Sequence, residues 1–135
     1  MFKLNKEETA LVVIDVQERL VVAMDQEIYA DMLSNTSKLV QGANVLGVPV
    51  IATQQYTKGL GGTVGELAKD IDGHIEKVTF SSCGEETFEA ALKEKGAKSV
   101  VVAGMEAHVC VLQTVLDLLE KGYNVHVAAD AICSR

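Results

Sequence analysis

Three side chains in this sequence, Cys110, Asp15 and Lys77, are of the types that could share nucleophilic chemistry, and each lies at or near the end of a predicted strand. Cys110 follows Ser99–Ala103 (SVVVA), which reads as a strand buried on both faces. The run breaks at Gly104 and resumes as a helix with apolar residues at Val109, Leu112, Val115, Leu116 and Leu119, stopped by Gly122 after Lys121. A thiol in the first turn of such a helix meets unpartnered backbone N–H groups and the positive end of the helix dipole. Both favour the thiolate, so the position predicts a lowered pKa for Cys110. Asp15, at the end of Thr9–Val16 (TALVVIDV), could take a proton and return it. Lys77 could hold that acid ionised. Taken singly, each has a plainer reading: a small apolar residue packed under a helix, an acid making local hydrogen bonds, and a solvated lysine. His108 precedes Cys110 by two positions and so does not share its helix face, which assigns it a structural or substrate-facing role. Cys83 and Cys133 read as structural.

The elements that must position these residues alternate in type. Thr9–Val16 reads as a central strand and Gln17–Met24 as a loop or short turn. A helix is predicted from about Ser34 to Leu46, with Leu39, Val40, Ala43 and Leu46 on one face and Gly47 as its stop. Val48–Thr53 (VPVIAT) is the second strand, and the polar, glycine-rich Gln54–Gly62 (QQYTKGLGG) is the loop after it. A short helix over about Val64–Lys69, a weak strand around His74–Val78 and a helix from about Glu85 to Lys95 follow. Beyond the Cys110 helix, Tyr123–Ala129 is a fifth strand. Strands and helices alternating at this spacing mean right-handed crossovers and a parallel sheet. Ligands of such sheets bind beyond the carboxyl ends of the strands, where Asp15, Gln54–Gly62, Lys77 and Cys110 all fall.

Composition narrows the classes. A chain of 135 residues fits one domain, and 48% apolar residues with only 4% aromatics give an aliphatic core. A net charge of −7 argues against a nucleic-acid partner, which calls for clustered Lys and Arg. No apolar run approaches the roughly 20 residues of a membrane span. Met1–Leu11 is charged and shows no signal-peptide core. Three dispersed cysteines point to reduced thiols and a cytoplasmic setting, and without CxxC or HExxH no metal is expected.

Three separated stretches, VVIDVQ with Asp15, EKVTFSSC with Lys77, and GMEAHVCVLQTVLDLLEKGYNVHVAADAICSR with Cys110, together resemble the isochorismatase-like cysteine hydrolases. The likeness is greatest to a short, uncharacterised branch, through Thr53–Gly61 (TQQYTKGLG) and Gly104–Thr114 (GMEAHVCVLQT). The resemblance implies a three-layer αβα fold with a parallel sheet in the order 3-2-1-4-5, and Asp15, Lys77 and Cys110 as a catalytic triad. It further implies an oxyanion hole from the backbone N–H groups of Glu106 and Cys110, and a cis peptide between Met105 and Glu106. Gln17, Gln54, Tyr56 and His108 are expected to line a substrate pocket. The region after the second strand lacks the acid and histidine with which nicotinamidases bind metal, so no cofactor is expected.

The activity this implies is hydrolysis of a small amide or carbamoyl-type C–N bond by a Cys110 thiolate, with Asp15 as base and Lys77 beside it. A non-catalytic assembly module of the same fold and a vinyl-ether hydrolase of the isochorismatase type are the alternatives. Family members continue with a sixth strand and a final helix beyond the segment that here ends at Arg135. The sequence is therefore expected to be a single domain over 1–135 lacking those elements, either a partial chain or one whose sheet edge another subunit completes. A homo-oligomer acting on a small molecule, with no membrane or nucleic-acid partner, is the expected assembly.

Overall fold

Thr9–Ile14 (β1) is buried at all six positions, as the middle strand of a covered sheet must be. The computed structural model describes residues 2–135 and places β1 at the centre of a five-stranded sheet, in the order β3-β2-β1-β4-β5. The other strands are Val50–Gln55 (β2), Ile75–Lys77 (β3), Ser99–Met105 (β4) and Asn124–Cys133 (β5). Every pairing in the sheet is parallel. Because successive residues of a strand face opposite ways, β1 serves two cores at once. Ala10, Val12 and Ile14 pack with Phe88, Leu92, Val111 and Leu118, while Leu11 and Val13 pack with Met32, Val40 and Leu67. Helices therefore cover both faces, and the three-layer architecture and strand order are those the sequence predicts.

The helices are α1 (Glu18–Val21), α2 (Gln26–Leu46), α3 (Thr57–Leu60), α4 (Gly65–Ala68), α5 (Glu86–Glu94) and α6 (Leu112–Glu120). Two expectations need correction. The first long helix starts at Gln26, not Ser34, because the Asp25 carboxylate caps it by accepting from the N–H groups of Glu27 and Ile28 at 3.0 and 3.1 Å. Its end at Gly47, with φ of 74°, is as expected, although Leu46 faces solvent. The second correction concerns the apolar stripe of α6. Cys110, Val111, Thr114 and Leu118 are buried, whereas Leu112, Leu116 and Leu119 are half exposed. A wide π turn over Ala107–Val111 precedes α6. Each α-helical residue advances the face by about 100°, so such a turn changes which residues face the sheet.

Gly104 does not end the strand before it, as the sequence suggested. β4 runs through it to Met105, and its register against β5 shifts between Val102 and Gly104. Gly104 has φ of 126°, and a Cβ built there would lie 2.1 Å from the carbonyl oxygen of Ile14. Only glycine lets β4 come this close to the end of β1. Gly104→Ala is accordingly expected to cost roughly 2–6 kcal/mol, from overpacking together with backbone strain. At Gly122, also at positive φ but with nothing within 4 Å of an added Cβ, the same change should cost about 1–2 kcal/mol. Urea unfolding of the two variants measures the difference.

Candidate active site

The chain leaves β1 at Asp15, whose φ of 52° lies in the left-handed region that aspartate tolerates better than most residues. Its N–H donates to the Thr53 carbonyl at 3.2 Å, and its carboxylate is fully buried. Both carboxylate oxygens are engaged. Lys77 Nζ donates to Oδ2 at 2.8 Å, and Thr53 Oγ1 donates to Oδ1 at 2.8 Å. Lys77, at the end of β3, is itself only 1% exposed. Its ammonium also reaches Gln55 Oε1 at 2.7 Å and the carbonyls of Thr79 and Phe80, each at 3.0 Å. Three N–H groups thus serve four acceptors, which is how a buried cation can be kept without orphaned protons.

Cys110 lies on the π turn after β4, inside the cluster formed by Ile14, Val102 and Val111. The charges of Asp15 and Lys77 both act on its thiol, so the three expected residues lie close enough to influence one another. The expected lowering of its pKa is not found. Burial first, and then the Asp15 charge, push the Cys110 thiol up to about 12, against the opposing charge of Lys77. Burial likewise raises the thiols of Cys83 and Cys133, and all three cysteines are free.

The turn that presents Cys110 opens at Glu106, after a cis peptide between Met105 and Glu106. The Glu106 carbonyl accepts from the N–H groups of Val109 and Val111, both at 3.1 Å. Its nearly buried carboxylate accepts from Arg135: the backbone N–H at 3.1 Å and the guanidinium at 2.9 and 3.2 Å. Burial alone would raise this acid, but the hydrogen bonds and charge of Arg135 hold it below the usual carboxylate range.

The residues expected to line a pocket divide. Gln17 is fully buried and braces the loop after β2: its Nε2 donates to the carbonyls of Gln55 and Gly61 at 2.9 and 2.8 Å, and its Oε1 accepts from Gln55 N–H at 2.7 Å. Gln54 holds the same loop through Thr57 and Thr63. Both Gln17 N–H groups are spent on the scaffold, whereas Gln54 Nε2 gives one of its two to Thr57. Tyr56 is half exposed at φ of 38°, its ring against Gly59 and its N–H donating to the Lys77 carbonyl at 2.9 Å. His108 is exposed, with Nδ1 2.8 Å from Ser134 Oγ. Thr53, Gln55 and the two loop carbonyls were not singled out from sequence. Thr53 could have been, since it ends an apolar strand beside one ending in an acid. Among the described residues, no group of His, Cys, Asp or Glu is placed to hold a metal ion, and no helix is long and apolar enough to cross a membrane.

Residues 9–135 match the isochorismatase domain family. Isochorismatase domain-containing protein 1 of Danio rerio is 46% identical over 125 residues, covering 90% of this chain and 42% of that protein. The solved MAR1 ribonuclease of Caenorhabditis elegans is 38% identical with a TM-score of 0.88, covering 96% of this chain and 67% of that one. An octameric hydrolase of unknown specificity from Escherichia coli is 25% identical with a TM-score of 0.86, covering 99% of this chain and 68% of that one. The chain spans about half the length of the curated relatives it matches, from 42% to 66%.

Because the folded-state pKa of Glu106 is depressed, its contribution to stability is present above the unfolded value of about 4.5 and is lost as pH falls through the lower folded value. Arg135→Ala removes the guanidinium and leaves only the backbone N–H on the carboxylate. It should destabilise the fold near neutral pH, because a nearly buried charge loses its counter-ion. The loss should shrink below about pH 4, where the carboxylate protonates in the unfolded chain too. Urea titrations at pH 7 and pH 3.5 test this, and an equal loss at both would refute it.

Proposed function

The chain belongs to the isochorismatase domain family, and from that premise we propose that it is a cysteine hydrolase cleaving a small amide or carbamoyl-type C–N bond. The observation that carries the reading is the meeting of a buried thiol with a buried, fully hydrogen-bonded Asp15–Lys77 pair. An acid, a cation and a nucleophile are seldom kept together in a dry interior for stability alone, because burying charge is costly.

On this reading Cys110 rests as a thiol, in keeping with its raised pKa. As the sulfur attacks the substrate carbonyl carbon, Asp15 takes the thiol proton, so the thiolate need not exist beforehand. The oxyanion of the tetrahedral intermediate accepts hydrogen bonds from the backbone N–H groups of Glu106 and Cys110. Removing one such donor typically costs about 100- to 1,000-fold in rate. Asp15 returns its proton to the departing nitrogen as the C–N bond breaks and a thioester remains. Water, deprotonated by Asp15, then attacks the thioester carbon and expels the sulfur, which recovers its proton. Lys77 keeps a positive charge beside Asp15 throughout. No metal or cofactor takes part, and a reducing, cytoplasmic setting suits three free thiols.

Since three solved relatives are named as MAR1 ribonucleases, two of them only provisionally, phosphodiester cleavage is the competing chemistry. That chemistry calls for cations free to meet phosphate. Here Lys77 is spent on Asp15, Gln55 and two carbonyls, and the chain carries a net charge of −7. The acyl reading suits the site better. Assembly into a homo-oligomer is proposed by analogy with the octameric relative.

A panel of small amides and carbamoyl compounds, assayed by ammonia release, should yield at least one substrate. Cys110→Ala should abolish its turnover while the fold persists by circular dichroism. With a thiol pKa near 12, kcat/KM should stay level between pH 8 and 9 instead of climbing tenfold with the thiolate fraction. Unchanged ammonia release from Cys110→Ala would sink the assignment.

A further inference from the structure

We infer that Thr53 is a positioning residue for Asp15, fixing the plane of the carboxylate and the direction of the charge it presents to Cys110. The inference rests on the proton-transfer role proposed above for Asp15. Thr53 lies in the buried part of β2, opposite Ile14 of β1 and Ile75 of β3, and is 1% exposed. It holds Asp15 twice: its carbonyl accepts the Asp15 N–H at 3.2 Å, and its hydroxyl donates to Oδ1 at 2.8 Å. Lys77 holds the other oxygen from the next strand at 2.8 Å. A carboxylate tied at both oxygens from two strands cannot rotate. Its remaining lone pairs have a fixed direction in which to meet the sulfur.

The residue type supports a role beyond packing. Valine has nearly the same shape and an equal fit to a buried strand, and it would avoid the cost of burying a hydroxyl. A hydroxyl carries one proton, and here it is given to Asp15. A hydrogen bond to an ionised carboxylate stabilises its charge, and the Thr53 hydroxyl is placed to do this at Oδ1 of Asp15. Two charged or titratable side chains face Asp15: Lys77 from β3 and Cys110 from the π turn. Gln55 acts one step further out, through Lys77.

Losing the hydroxyl should therefore loosen and weaken the carboxylate charge that raises the Cys110 thiol, and make Cys110 more reactive. The measurement is the rate of Cys110 alkylation by iodoacetamide between pH 6 and 9, read by peptide mass mapping, and it needs no substrate. Asp15→Asn, which removes the charge that raises the thiol, should label faster than wild type. Thr53→Val should also label faster, on the order of tenfold at neutral pH, the worth of one hydrogen bond to a charged group. Thr53→Ser, which keeps the hydroxyl, should label at the wild-type rate. Adding Thr53→Val to Asp15→Asn should accelerate nothing further, because the effect runs through the carboxylate. If Thr53→Val does not fold, Thr53→Ala removes the same hydroxyl and carries the same expectation. A wild-type labelling rate in folded Thr53→Val, beside an accelerated Asp15→Asn, overturns the positioning role and leaves the Asp15–Cys110 reading intact. Acceleration by Thr53→Val that persists in the Asp15→Asn background means a loosened strand, and also overturns it. An unaccelerated Asp15→Asn removes the reading of Asp15 as a charge that raises the thiol, and this inference with it.

Discussion

A lysine ammonium and a carboxylate 2.8 Å apart, neither with any side-chain exposure, constrain this fold more than any other contact in it. Removing two charges from water costs several kcal/mol for each, and their mutual attraction offsets that only when the remaining hydrogen-bonding capacity is also used. The surroundings of Lys77 and Asp15 meet this condition from four places in the chain. β2 supplies the Thr53 hydroxyl and the Gln55 amide, and the segment after β3 supplies two carbonyls. That segment is in turn tied to α6, where the Thr114 hydroxyl accepts the Ser82 N–H at 2.8 Å. Thr114 stands one helical turn beyond Cys110, so the brace that shapes the Lys77 loop also holds the helix that carries the thiol.

The second constraint is the approach of β4 to β1. Parallel neighbours normally lie about 4.8 Å apart, with room for Cβ atoms between them. At Gly104 the backbone closes on Ile14 until no Cβ fits, immediately before Asp15 on one strand and before the Met105–Glu106 turn on the other. The two strand ends that carry acid and nucleophile thus come together through their backbones. Farther out, Gln17 stitches the start of α1 to the loop after β2, and Arg19 donates to the carbonyls of Lys58 and Gly59 at 3.2 and 2.7 Å. The glycine-rich loop is therefore fastened along its length.

How much of this could be read in the sequence depends on what each feature needs. A covered parallel sheet followed from aliphatic runs alternating with helical patterns, and runs such as TALVVI carry that signal plainly, while the strand order came with the family resemblance. Asp15, Lys77 and Cys110 could be placed on one rim by topology, and singled out as a set by three motifs in order. The bracing role of Gln17 and Gln54 could not be read, because an amide at a strand end looks the same whether it meets a ligand or its own loop; only the distances tell. The early start of α2 was missed because the first turns, QEIYADM, are polar on their outer face, and the cap at Asp25 is one residue among many aspartates. The phase of α6 could not be read at all, since π turns leave no sequence pattern of their own.

The state of Cys110 shows which of two opposed effects prevails. A helix N-terminus stabilises a nearby anion by about 0.3–1 kcal/mol at exposed sites and about 2 kcal/mol in favourable buried ones. That is at most roughly one and a half pH units. The thiol nonetheless stands at about 12 against an ordinary 9.0. Desolvation within the Ile14, Val102 and Val111 cluster and the adjacent Asp15 charge therefore exceed whatever the turn and Lys77 contribute. Lys77 cannot tip the balance because its charge is shared among Asp15, Gln55 and two carbonyls before it reaches sulfur. A thiol kept protonated in this way is protected from adventitious oxidation and alkylation, both of which proceed through the thiolate. In the proposed turnover this state leaves the thiol proton to be taken by Asp15 as the sulfur attacks. The geometry that holds this carboxylate, more than the helix behind the cysteine, decides when the sulfur can react.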